Sequence, residues 1–180
     1  MHIIGTGNIQ NDNWSYPAPY GNYYWGAKNQ FLIHASELQA AGMSAGNIYS
    51  LGFDVVTPAG TSLDDFEVGL KLTTANDVSS GLSTGFTNVY GPQSYADISG
   101  WNQHVFHTPF YWDGTSNLLV ETCFNNQTWT SNAIFNMSTS YFSSLDLLNI
   151  LFILLFLYPL LYLFSFLFFI SSRKSSVPSV

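Results

Sequence analysis

Phe66-Glu67-Val68-Gly69-Leu70-Lys71-Leu72-Thr73 sets apolar side chains at 66, 68, 70 and 72 against Glu67, Gly69, Lys71 and Thr73. A period of two is that of a half-buried strand, because successive side chains leave a pleated backbone on opposite faces. The same alternation recurs upstream, where Leu51, Phe53 and Val55 oppose Ser50, Gly52 and Asp54. It recurs downstream, where Leu118, Val120 and Phe124 oppose Glu121, Cys123 and Asn125. Turn-forming clusters punctuate these runs: Pro58-Ala59-Gly60, Ser79-Ser80-Gly81, Gly91-Pro92, Ser99-Gly100 and Asp113-Gly114. Many short strands at such spacing predict an all-β fold, an antiparallel β-sandwich of jelly-roll type. Residues 30–35 read as a short strand. Ser36 then reads as the N-cap of one short helix over residues 37–41, which Gly42 ends.

Composition narrows the function classes. Charged residues make up 8% of the 180-residue chain, and aromatic residues 17%. Residues 1–142 carry only two basic side chains, Lys28 and Lys71, against ten acidic ones. That balance argues against a nucleic-acid partner, which demands a basic surface. Cys123 is the single cysteine, so no intrachain disulfide forms. A domain of this size can bury enough core without one. The opening Met1-His2-Ile3-Ile4-Gly5 lacks the basic and apolar regions of a signal peptide. Export is therefore expected to depend on something outside this sequence, or the chain to be a piece of a longer one.

The alphabet changes near Ser143. From Leu147, through Pro159, to Ile170 the chain is almost wholly Leu, Phe, Ile and Tyr. As a helix this stretch would extend about 36 Å at 1.5 Å per residue, enough to span a bilayer with tilt. Two units are expected: a β-sandwich module over 1–142 and an apolar, transmembrane-like tail over 143–180. Two readings of the tail stand side by side. It is a genuine membrane helix, with Arg173 and Lys174 on the cytoplasmic side. Or it is an out-of-frame or misjoined segment, since its residues are those that thymine-rich codons supply.

Tyr16-Pro17-Ala18-Pro19-Tyr20-Gly21, Phe53-Asp54-Val55-Val56 and the run from Pro109 to Phe124 together resemble a β-sandwich module of large secreted bacterial surface proteins that carry C-terminal sorting domains. The resemblance covers about residues 5–140. Its most specific part is Trp112-Asp113-Gly114-Thr115-Ser116-Asn117-Leu118. It implies an extracellular or cell-surface location and a non-catalytic module for adhesion or display, anchored in the membrane where the tail is genuine. Its partners would be glycans or surface proteins. The sequence departs from the pattern in its abrupt start and in an apolar tail where further strands are expected.

Candidate sites are few. Aromatic residues at 14–25, with Trp101, Tyr111, Trp112 and Trp129, offer flat faces for a sugar ring. On this alternative, a carbohydrate-binding module, Trp14, Tyr20, Trp25 and Trp112 are the ligand-binding residues; the competing reading is that they fill the ends of the core. Asp64, Asp65 and Glu67 cluster beside a turn and are the candidate ligands for a structural calcium, against a reading as solvated turn carboxylates. No other cofactor is expected. His104 and His107 are three apart, a spacing that on a strand turns them to opposite faces and disfavours a shared metal. No nucleophile motif, P-loop or dinucleotide fingerprint is present, so the chain is read as no enzyme. Asn13, Asn126 and Asn136 each open a glycosylation triplet.

Overall fold

In the computed structural model, residues 2–5, 9–10, 18–78, 83–137 and 144–148 are described. Nine strands and one helix follow in chain order: β1 (Ile9–Gln10), β2 (Gly26–Ile33), α1 (Ala35–Ala40), β3 (Gly46–Thr57), β4 (Leu63–Thr73), β5 (Thr87–Tyr95), β6 (Gly100–Trp112), β7 (Asn117–Asn125), β8 (Ile134–Met137) and β9 (Ser144–Leu148). They form two antiparallel sheets, ordered β1-β8-β3-β6 and β5-β4-β7-β2-β9. The expected all-β class is what the chain adopts. Its first compact unit runs to Leu148.

The period-two runs bury the faces they predict. Phe66, Val68 and Leu70 of β4 are fully buried in one core with Val55 of β3 and Leu118, Val120 and Phe124 of β7. Leu51 and Phe53 pack against the same core, so both sheets contribute their inner faces to it.

β7 departs from expectation because it is buried on both sides. Leu119 and Glu121, on its outer face, are nearly as inaccessible as Leu118 and Val120. The central position between β4 and β2 covers its edges, and the segment after β4 covers its outer face. Val78 and Phe86 from that segment pack on Leu119 and Leu32 in a second small cluster. A polar strap surrounds it. Gln30 Nε2 donates to Glu121 Oε2 at 2.7 Å and to the Ser83 carbonyl at 2.8 Å, while the Ser83 amide donates back to Gln30 Oε1. Lys28 bonds Glu121, and Lys71 reaches Ser83 Oγ and the Thr84 carbonyl. Lys71 therefore holds this loop to the sheet directly, while Lys28 fixes the Glu121 carboxylate that Gln30 also bonds.

The helix starts two residues earlier than Ser36 would set it. His34 is the N-cap residue, and its amide donates to the Glu37 carboxylate at 2.8 Å. Asn117 Oδ1 accepts the Ala35 amide, so side chains from Glu37 and β7 satisfy the first turn without a serine cap. The C-terminus closes as a Schellman motif: Gly42 N donates to the Gln39 carbonyl and Met43 N to the Leu38 carbonyl. Leu38 and Met43 both reach the core, which fixes the exit direction.

Gly91-Pro92 is a bulge inside β5 and not a turn. The β4–β5 register shifts between the Phe66–Gln93 and Val68–Tyr90 pairs. Gly91 has φ +74°, and a Cβ there would lie 2.1 Å from the Phe66 carbonyl oxygen. Leu147 is likewise strand and not the start of a helix. It lies opposite Lys28 in β9, where the unpaired backbone groups of the β2 edge find partners. Pro159 and Ile170 lie outside the described residues, as do all of residues 149–170. Among the described residues, no helix is long and apolar enough to cross a membrane.

Gly91→Ala is expected to lower unfolding free energy by about 2–4 kcal/mol, because both φ and the Phe66 carbonyl oppose a side chain. Gly60→Ala has a similar φ of +82° but open space around it. It should lose only about 1 kcal/mol. Urea denaturation followed by tryptophan fluorescence checks the ranking.

Candidate functional site

Four loops meet at one end of the module: 18–25, 58–62, 96–99 and 126–133. Asparagines stitch them together. Asn22, fully buried, donates to the Thr128 carbonyl at 3.1 Å and to Thr130 Oγ1 at 3.3 Å. Asn126 Oδ1 accepts the Asp64 amide at 2.7 Å, and its Nδ2 donates to the Ser62 carbonyl at 2.8 Å. Asn132 Oδ1 accepts the Tyr23 amide. Asp97 Oδ2 accepts the Ala59 amide, and burial raises that carboxyl above its ordinary range.

This frame presents aromatic rings. Tyr23 meets Tyr24 edge to face at 5.0 Å between centroids and Trp129 at 5.9 Å. Tyr24 is 41% exposed, Trp25 37% and Trp129 61%. Trp25 has φ +74°, a left-handed backbone that a bulky side chain adopts only when its surroundings impose it. Its carbonyl accepts the Asn126 amide at 2.8 Å, and Gly26 follows, pressed against the Phe124 carbonyl. Tight pairing at the start of β2 thus imposes the strain on Trp25.

The structure scatters the sequence-derived candidates. Trp25 belongs to the exposed loop end. Tyr20 and Trp112 are fully buried, so neither can stack on a ligand from solution. Trp112 Nε1 donates to the Ser116 carbonyl at 2.8 Å, which makes it the inner wall of the Asp113–Ser116 turn. Trp14 lies outside the described residues. Asp64 and Asp65 are exposed at the start of β4, while Glu67 accepts a hydrogen bond from Asn88. Among the described residues, no three His, Cys, Asp or Glu side chains gather closely enough to hold a metal ion. Asn126 is buried with both amide atoms engaged, so its triplet is closed to modification in the fold.

Asp113 does what its sequence context implies. It accepts the Ser116 hydroxyl at 2.6 Å and the amides of Ser116 and Thr115. These bonds, the hydroxyl first, hold its carboxyl at about pKa 2. The Cys123 thiol is pushed up by burial on the outer face of β7, which disfavours the reactive thiolate.

His104 and His107 point to opposite faces of β6, one sealed and one in solvent. His107 is exposed and bonded to Asn88 and Thr108. His104 is sealed in the core, 2.6 Å from the Tyr20 hydroxyl, with Tyr90 and Tyr95 edge to face at 4.6 Å. Asn102 uses Nδ2 on the Ile98 and Gly100 carbonyls, so its Oδ1 accepts both the Tyr95 hydroxyl and the Ile98 amide. Tyr95 packs its ring on Tyr20, centroids 5.6 Å apart. His104 Nδ1 is buried without a partner among the described residues, so a ring proton on Nε2, donated to the Tyr20 oxygen, leaves only a bare acceptor, which costs less than an orphaned N–H. Burial raises both tyrosines, Tyr95 to about 12. Burial also lowers His104 to about 4.

Comparison with protein-family models, with curated proteins and with solved structures finds no match for this chain.

The His104 shift fixes a pH dependence. The unfolded chain takes up this proton near 6.5 and the folded one only near 4. Its contribution to stability is therefore full above 6.5, falls as pH drops towards 4, and is then lost by roughly 3 kcal/mol. Asp97 acts in the opposite sense over the acid range, since its raised pKa favours the fold where the carboxyl is protonated. Comparing the chain with His104→Phe isolates the histidine: the pH 7-to-4 loss in denaturation free energy should shrink by most of that amount.

Proposed function

We propose that this chain is a non-enzymatic module of jelly-roll type that serves adhesion or display at a cell surface. The strand order supports the jelly-roll reading. Neighbours 1-8-3-6 in one sheet and 5-4-7-2 in the other are the pairing of an eight-strand roll of two Greek keys, with β9 added at the β2 edge. The observation that carries the functional reading is the loop end, where buried asparagines hold Tyr23, Tyr24, Trp25 and Trp129 together with their faces partly in solvent. Rigid aromatic surface on a scaffold of strands is what a recognition surface needs. The groups that could do chemistry are committed to the fold: His104 is sealed, Cys123 is disfavoured as thiolate, and Asp113 caps a turn.

A second reading is a carbohydrate-binding module, favoured by the exposure of Trp25 and Trp129 at that end. The two differ in what a soluble glycan does.

Beads coated with the full chain, held in a zwitterionic detergent, should adhere to cell surfaces. Trp129→Ala should reduce adhesion about tenfold, the scale of one well-placed aromatic contact. Trp25→Gly relieves the left-handed strain, so it should reduce adhesion while leaving the melting temperature equal or higher. Saturable tryptophan quenching by free glycans, lost in Trp129→Ala, favours the carbohydrate reading. Turnover of ester, peptide or glycoside substrates by the purified chain contradicts both.

A further inference from the structure

The outer face of the β1-β8-β3-β6 sheet carries a row of side chains that no adjacent residues could make. Gln10 pairs across β1–β8 with Asn136, β8 lies beside β3, and Asp54 pairs across β3–β6 with Trp101. Three side chains of the row are linked. Gln10 Nε2 donates to Asn136 Oδ1 at 3.3 Å, and Asn136 Nδ2 donates to Asp54 Oδ2 at 2.7 Å. Trp101 ends the row, 47% exposed. One pleat along, Gly52 faces the same side, paired with Gln103, and Gln103 Nε2 donates to Ser50 Oγ at 2.9 Å. A Cβ at Gly52 would sit 3.1 Å from the Asn102 carbonyl oxygen, so the sheet backbone itself is the floor there. Trp101 thus ends a row of amide and carboxylate groups, with the amide of Gln103 and the hydroxyl of Ser50 one pleat along. Four strands at about 4.8 Å spacing make the row roughly 14 Å long.

We propose that this face binds a neutral oligosaccharide. Trp101 supplies an apolar plane for a sugar ring, and Asp54, Asn136, Gln10 and Gln103 supply fixed hydrogen-bonding partners for hydroxyl groups. The charge on the module selects against the other classes. Lys28 and Lys71, its two basic side chains, lie on the other sheet and are held by Glu121 and the loop after β4. Among the described residues no Lys or Arg lies on this face, and Asp54 would repel an anionic ligand. A neutral, hydroxyl-rich chain uses the groups that are present. The site is separate from the aromatic loop end and does not depend on it.

The test uses the full chain in a zwitterionic detergent, titrated with four neutral hexasaccharides: β-1,4-glucan, β-1,4-xylan, β-1,3-glucan and α-1,4-glucan. Tryptophan fluorescence is expected to change saturably with at least one of them. Trp101→Ala should weaken that binding at least tenfold, Trp101→Tyr should restore part of it, and Asp54→Ala should weaken it several-fold. Trp129→Ala should leave it within twofold. Matching melting temperatures show that the variants are folded. No saturable response to any of the four overturns the proposal. So does a response that survives Trp101→Ala and disappears with Trp129→Ala, which would place sugar binding at the loop end alone.

Discussion

The hydrogen bond between Tyr20 and His104, 2.6 Å long and out of reach of solvent, is the constraint on which the rest of the module depends. It joins the segment before β2 to the middle of β6. Around it lie Phe53 of β3, Phe66 of β4 and Tyr90 and Tyr95 of β5, with ring centroids 4.6–6.5 Å from the imidazole. Both sheets thus meet at one polar point inside an aromatic shell. An apolar core alone tolerates sliding of one sheet over the other, since area burial has no direction. The buried hydrogen bonds of His104 with Tyr20 and of Tyr95 with Asn102 do have direction, because any shift leaves polar atoms unpaired at about 1–3 kcal/mol each. Asn102 also organises the turn at Ile98 and Gly100. Through its bond to Tyr95 it ties that turn to the aromatic shell.

The same economy governs the surface. Without a disulfide, the loops are fixed by buried asparagine side chains that stand in for missing backbone partners. Asn22, Asn126 and Asn132 each tie one loop to another. The low charge fits this arrangement: Lys71 and Gln30 clamp the segment after β4, and Lys28 pairs with the Glu121 carboxylate on the outer face of β7. Exposed aromatics at the loop end and on the outer sheet face are then held without competition from flexible charged neighbours.

What the sequence made legible was whatever depends on local period. The alternation at 66–72 and 51–55 identified buried faces correctly, and Asp113-Gly114 identified the turn between β6 and β7. What depends on distant partners was not legible. The outer face of β7 reads as half-exposed until the loop after β4 covers Leu119 and Glu121. Ser36 looks like a cap until Asn117 and Glu37 take the first amides of α1. Tyr20 and Trp112 look like ligand platforms because composition cannot tell an aromatic in the core from one at the rim. His104 looked ordinary because nothing adjacent in sequence reveals five aromatic rings brought from four other parts of the chain. The row from Gln10 to Trp101 requires the register of four strands. Leu147 read as helix because its apolar neighbours hid the open edge of β2, which it joins in β9.

Nitrogen NMR of the His104 imidazole in the full chain tests the buried network most directly. The expected spectrum is that of a neutral ring with the proton on Nε2, unchanged between pH 7.5 and 5, beside a slowly exchanging Tyr20 hydroxyl. An imidazole that titrates near 6.5 with fast solvent exchange would contradict it, because such a ring is in water and cannot be the point where the two sheets meet.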